Sequence, residues 1–531
     1  MKNRACVAFA SLTLLFQPFT ALSDEGKSTA GRLGKVSFAN SCSETVKPQF
    51  ERGVAMLHSF WHSAGEKTFD EILAKDPQCA IAAWGLASIL MSNPLAGQGA
   101  VPDKAKKAIA ALEGARAVRA GTQRERDYID AVSVYYEDWA NRGERARQAA
   151  RADAYEKLAA RYPSDDEAQI FYALYRAGTQ SQADQTYAAY LKAAGILEGQ
   201  FKKYPNHPGV AHYLIHSYDA PPIAAKGLPA ARRYAGIAPA APHALHMPSH
   251  IFTRVGAWED SVATNKRSME VARKGGEGDE AYHAIDYMVY AYLQLGRDAE
   301  AKRMTDEATK LSGMTPRFVA PYAATSMPAR YALERGQWKE ASQLPVTPTT
   351  YPFVAAITHF ARALGAARSG DVAGAQKDAD VLAELHKKLQ DAKNNYWATE
   401  VEVQRLAATG WIAFAQGKKD EGLKLMRAAA DLEDKNEKHI VTPGRVLPAR
   451  ELLGEMLLEA KQPKEALAEF EASQKREPNR FRNYLGAATA ADAAGDKAAA
   501  AKYWKQLVAL AAKGDGTRPE IKRAKAVLAS K

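Results

Sequence analysis

Residues 453–478 read LGEMLLEAKQPKEALAEFEASQKREP, and this stretch decides the fold. Each apolar or small position has a task in a helix–turn–helix unit. Gly454 lets a first helix approach its neighbour closely, and Ala466 does the same for a second helix. Phe470 fills the gap between the two helices. Pro478 stops the second helix, because proline cannot donate the backbone hydrogen bond that a further turn requires. The same four offsets recur far upstream. Gly53, Gly65, Phe69 and Pro77 stand where Gly454, Ala466, Phe470 and Pro478 stand, with 24 residues from first glycine to proline in both units. Two matches at four positions are hard to reach by chance and point to an internal repeat.

This small–small–aromatic–proline signature resembles the tetratricopeptide repeat. Degenerate copies follow the same plan at 256–272, 287–308, 331–342, 361–379, 411–429 and 484–511. Pro163 and Pro205 read as ends of second helices. The expectation is an all-α, right-handed solenoid of tetratricopeptide-like helix pairs. It should curve as successive pairs rotate slightly, with the first helices lining a concave face. Composition agrees, with 47% hydrophobic and 25% charged residues and abundant Ala, Leu, Lys, Glu and Arg, a helix-forming mixture. Segments 92–103 and 219–229 are rich in Pro and Gly and read as loops. QLPVTPTTYP at 343–352 reads as a linker between His-rich repeats at 46–342 and a C-terminal set at 353–531.

The first 23 residues read as an export signal. Lys2 and Arg4 precede a nearly apolar run from Ala5 to Ala21, and the small residues Ala21 and Ser23 precede a cut before Asp24. Residues 24–45 form a lead segment, and the expected location is periplasmic or secreted. No other stretch is long and apolar enough to span a bilayer. Loss of Lys2 and Arg4 lowers the formal charge from +11 to +9, spread along the chain. No run of Lys and Arg is interleaved with aromatics, so nucleic acid is not an expected partner. Cys42 and Cys79 remain after the signal is removed. An even pair in an oxidising compartment favours a disulfide over free thiols or soft metal ligands.

Chemistry is concentrated in histidine. Nine of twelve histidines lie between positions 58 and 283, and six fall into i, i+4 pairs: His58/His62, His212/His216 and His246/His250. Residues four apart share one face of a helix. Two imidazoles so placed can bind one ion, as in the zinc helix H-E-x-x-H, although the intervening Glu is absent here. Glu280, His283 and Asp286 are spaced three apart on a fourth helix and add a seventh ligand candidate, His283. Asp219, His243, Glu280 and Asp286 are candidates to orient imidazoles from behind. Imidazole suits zinc, copper and iron alike. Two other readings stay open: a polar pocket for a small ligand or peptide, and a rigid network of His, Tyr and Asp holding the scaffold together. His207, His359, His386 and His439 read as ordinary surface or core residues.

No nucleophile elbow, P-loop or Rossmann fingerprint occurs, and no catalytic residue can be assigned. Beyond the general repeat, the chain resembles a group of bacterial exported tetratricopeptide-repeat proteins. LHSFWHSAGEKTFDEILAKDPQCAIAAWG (57–85), PHALHMPSHIFTRVGAWEDSV (242–262) and VTPGRVLPARELLGEMLLEAKQPKEALAEFE (441–471) carry that likeness. It implies fold and export. The wider repeat family implies a peptide or protein partner on the concave face. Two functions follow as expectations: a transition-metal binder through the histidines, or a partner-binding scaffold without metal.

Overall fold

Phe69 and Phe470 set the spacing of the stack. In the computed structural model, which describes residues 31–118, 121–315 and 317–529, each ring is gripped by two glycines. A Cβ built on Gly85 would lie 2.2 Å from the Phe69 ring, and one on Gly53 would lie 3.0 Å from it. At the other end of the molecule, a Cβ on Gly486 would lie 2.2 Å from the Phe470 ring and one on Gly454 2.7 Å. The two glycines of each grip are 32 residues apart in both places. The second is therefore the first helix of the next unit, and the aromatic residue wedges one repeat against the following one. The expected signal segment, residues 1–23, lies outside the described residues.

Every regular element among the described residues is helical. Neighbouring helices pair along the chain, beginning with Lys47–His58 and His62–Lys75 and ending with Phe481–Ala494, Lys497–Leu510 and Pro519–Ala529. Second helices stop where proline demands it: at Lys75 before Pro77, Arg161 before Pro163, Lys203 before Pro205 and Arg476 before Pro478. Turns within pairs use left-handed glycines, such as Gly296 and Gly495 at φ +66° and +80°, a conformation other residues adopt only with strain. No helix among the described residues is long and apolar enough to cross a membrane.

The 343–352 segment is a loop, but the apolar core runs through it. Phe318, Leu333 and Ala341 belong to one cluster with Phe353, Leu364 and residues as far as Ala524. The C-terminal repeats also fold back onto the first part of the chain. Arg480, wholly buried, donates to Glu334 at 2.7 Å and to Glu451 at 2.7 Å. Arg518 donates to Asp298 at 2.6 Å. The loop before helix Ala449–Glu459 reaches into the N-terminal repeats, where Tyr187 donates to Glu437 at 2.8 Å. Cys42 and Cys79 form a disulfide, Cα atoms 4.5 Å apart, that ties the lead segment to the start of the second repeat.

Candidate metal centre

Six imidazoles from four helices meet in the interior of the N-terminal repeats. His212 and His216 project from Pro208–Ser217, His243 and His246 from Pro242–His246, His250 from Pro248–Arg254, and His283 from Gly278–Gln294. All six are buried. They fall into two triads, His212/His216/His243 and His246/His250/His283, and within each triad one ligand-capable atom per residue lies within 4.8 Å of the others. The i, i+4 pairs meet through their Nε2 atoms, 3.1 Å apart for His212 and His216 and 3.0 Å for His246 and His250.

The partners of the Nδ1 atoms determine what those Nε2 atoms carry. His246 Nδ1 sits 2.7 Å from Asn265 Oδ1, while the Asn265 amide nitrogen donates to the Ser261 carbonyl. The amide oxygen can only accept, so His246 Nδ1 holds the proton. His250 Nδ1 donates to Asp219 at 2.8 Å. His212 Nδ1 donates to the His58 carbonyl at 2.7 Å. His243 Nδ1 is 3.3 Å from Glu280. In a neutral imidazole one nitrogen is a donor and the other an acceptor. Three of the six rings, His212, His246 and His250, therefore present an acceptor lone pair at Nε2. At His246 and His250 two such lone pairs face each other at 3.0 Å, a repulsive contact unless a proton or a metal cation lies between them.

A proton is a poor solution at neutral pH. Burial pushes His250 down to about 4 and His283 to about 3, and burial with the neighbouring imidazoles holds His246 and His212 well below the usual histidine value. The carboxylate behind His250 is itself anchored. Burial opposes ionisation of Asp219, but Lys438 and Arg254 beside it prevail and keep it charged. Arg254 donates to it at 2.8 Å, and Lys438 Nζ stands 3.7 Å away. The cluster approaches solvent at one edge, where half-buried His62 and Glu280 lie beside His243 and His283. Imidazoles whose Nδ1 atoms are tied to oxygens are held as metal-ligating histidines are oriented in metalloproteins.

The third histidine group is of another kind. Glu167 accepts from His58 Nε2 and His207 Nε2, each at 2.9 Å. Tyr213 donates to His58 Nδ1 at 2.9 Å, and the Val210 amide donates to His207 Nδ1 at 3.3 Å. All four ring nitrogens have partners in this group, whose ligand-capable atoms also lie within 4.8 Å of one another. This is a satisfied hydrogen-bond network, and it corrects the grouping read from the sequence. His58 and His62 do not share a helix face. The helix Lys47–His58 ends at the first of them, Phe60 takes φ +49° in the turn, and His62 begins the next helix. Only His62 remains near the cluster.

Other expectations divide in the same way. Asp219, three residues after His216, orients His250 instead. His243 joins His212 and His216 and is backed by Glu280. Asp286, one turn beyond His283, faces away and pairs with buried Arg330 and with Ser326 at 3.1 Å. Two contributors escaped the sequence reading: Asn265 and Lys438. An Asn inside the helix Trp258–Gly275 was the one local clue, since Asn is disfavoured there unless its side chain has work to do.

No family model and no curated protein matches the chain. It is similar to a solved tetratricopeptide repeat protein from Parabacteroides merdae at 15% identity, with TM-score 0.29, covering 54% of this chain and 97% of that one. It is also similar to a chain of the APC/C hetero-tetramer Cut9–Hcn1 (11%, TM-score 0.30, covering 89% and 95%) and to yeast Tom70 (14%, TM-score 0.31, covering 91% and 88%). The deciding feature is internal: the glycine–aromatic grip and its 32-residue interval at both ends of the stack. The chain has a tetratricopeptide-like helical-repeat fold. Scores and identities this low carry no chemistry across from those structures, so the tetratricopeptide-like repeats supply the frame and the histidines must speak for themselves.

Proposed function

We propose that this repeat protein binds a transition metal ion at His246, His250 and His283, and that it works outside the cytoplasm. The observation that carries the reading is the pair of Nε2 atoms 3.0 Å apart at His246 and His250, both with their Nδ1 protons committed to Asn265 and Asp219. Zinc, copper and iron all accept imidazole, and three protein ligands leave a coordination position open, as in catalytic sites of this type. Tyr287, whose hydroxyl is 3.4 Å from His250 Nε2, borders that position. The Cys42–Cys79 disulfide supports an oxidising compartment, in keeping with the signal-like N-terminus.

The partner-binding reading has less support at the C-terminal repeats. Their first helices turn Glu451, Glu455 and Arg482 toward Arg480, Arg368 and the Leu333 carbonyl, so the protein's own side chains fill part of that face. Elemental analysis of protein purified from its native compartment tests the metal reading. Bound transition metal that survives dialysis and is reduced in His246→Ala/His250→Ala is expected. Metal-free protein that also ignores added zinc, copper and iron would end it.

A further inference from the structure

We propose that the six imidazoles form a centre for two ions, one in each triad, and that both ions are copper. This rests on the metal reading above, extending it from one triad to both. The two triads repeat one design. Each has an i, i+4 histidine pair joined through Nε2 and a third imidazole from another segment. Each also has one aromatic ring packed over all three: Phe60 lies 4.4, 6.1 and 5.6 Å from the His212, His216 and His243 centroids. Tyr287 lies 4.7, 5.2 and 5.3 Å from those of His246, His250 and His283. The triads abut, with ring centroids 5.7 Å apart for His216 and His250 and 6.0 Å for His243 and His246.

The first triad carries independent signs of a missing partner. His243 Nε2 is buried and makes no hydrogen bond, although native interiors rarely leave such an atom unmatched. His212 is fixed with its lone pair at Nε2 by the His58 carbonyl. A scaffold network would satisfy these nitrogens, as the Glu167 group does for His58 and His207.

Charge selects the ion. All six ligands are neutral. Of the two nearest carboxylates, Asp219 is already matched by Arg254 and Lys438, leaving Glu280 against His243. Two divalent ions would bring about four positive charges into this buried site, whose desolvation is costly without counter-charge. Two monovalent coppers bring half as much. Imidazole suits copper, and copper(II) heads the affinity order for nitrogen ligands.

Native mass spectrometry of the full chain after anaerobic loading with copper(I) and removal of excess metal gives the count. The wild type should hold two coppers, and His212→Ala/His216→Ala and His246→Ala/His250→Ala one each. His243→Gln, at the solvent edge, should also hold one and serves if a double variant fails to fold by circular dichroism. Electron paramagnetic resonance of copper(II)-loaded wild type should show coupling between two spins, absent from every variant. One copper in the wild type, lost with His246/His250 and kept without His212/His216, overturns the two-ion proposal and leaves the single-site reading standing. Two coppers retained in His212→Ala/His216→Ala also overturn it. Displacement of both by equimolar zinc overturns the choice of copper. No metal of any kind removes both readings.

Discussion

Asn265 and Asp219 act on the centre without entering it, each holding an imidazole by its Nδ1 proton. Removing such a partner typically costs 10- to 100-fold in metal affinity. Asn265→Ala should therefore weaken binding by roughly that factor while the protein stays folded, as competition against a chelating dye would measure. Unchanged affinity would mean that His246 needs no tether. The metal-free protein should also be acid-sensitive. Unfolded histidines take up protons near pH 6.5, whereas burial holds folded His250 at about 4 and His283 at about 3. Between those limits the unfolded state binds more protons, so stability falls as pH drops below about 6.5 and levels off near 3 to 4. The slope is about 1.4 kcal/mol per pH unit for each such histidine. Thermal unfolding of metal-free protein from pH 7 to pH 4 checks this, and a flat melting temperature would contradict it. At this scale the sequence was readable only where spacing is local. His212/His216 and His246/His250 keep their faces because the backbone stays helical through each pair, with Met247 still helical between the two short helices. His58/His62 failed because three turn residues intervene, and Glu167 and Lys438 arrive from segments no spacing rule connects to the histidines.

Helix pairs are held in register by the aromatic wedge between glycines. Gly486→Ala places a methyl 2.2 Å from where the Phe470 ring now lies, so the ring or the helix must move, at a cost of about 1 to 3 kcal/mol. Gly114, in helix Pro102–Val118, has nothing within 4 Å of its would-be Cβ. Gly114→Ala should stabilise by about 0.5 to 1 kcal/mol, because alanine is the better helix former. Urea unfolding of the two variants should shift in opposite directions. Similar shifts would show that glycine is tolerated at 486 for helix propensity alone. The repeat was evident in the sequence because Gly, Phe and Pro recur at fixed offsets, each for a steric reason confined to one unit and its neighbour. The closure of the C-terminal repeats onto the helix Gly278–Gln294 was not evident. It depends on Arg480 meeting Tyr290 of that helix and Glu334 of the helix Val319–Glu334, contacts whose partners are 190 and 146 residues away.

Across the whole molecule, two long-range ties matter most. The Cys42–Cys79 bond closes a loop with a sequence separation of 37. Chain-entropy arguments assign such a loop about 4 kcal/mol. Cys42→Ser should lower the melting temperature of the oxidised protein to that of the reduced wild type, and no change on reduction would mean the bond contributes nothing. Arg480 and Arg518 bind the last repeats to the first part of the chain, with contacts to Tyr290 and the Leu293 carbonyl on the helix that carries His283. Convergence of Nε2 lone pairs at one interior point is the claim on which the rest depends. Anomalous diffraction at the metal edge, from crystals of copper-loaded protein, tests it directly. The account predicts a peak bonded to both His246 Nε2 and His250 Nε2 at about 2.0 Å. Ordered density with those two atoms still in contact near 3 Å, and no anomalous peak between them, would contradict it.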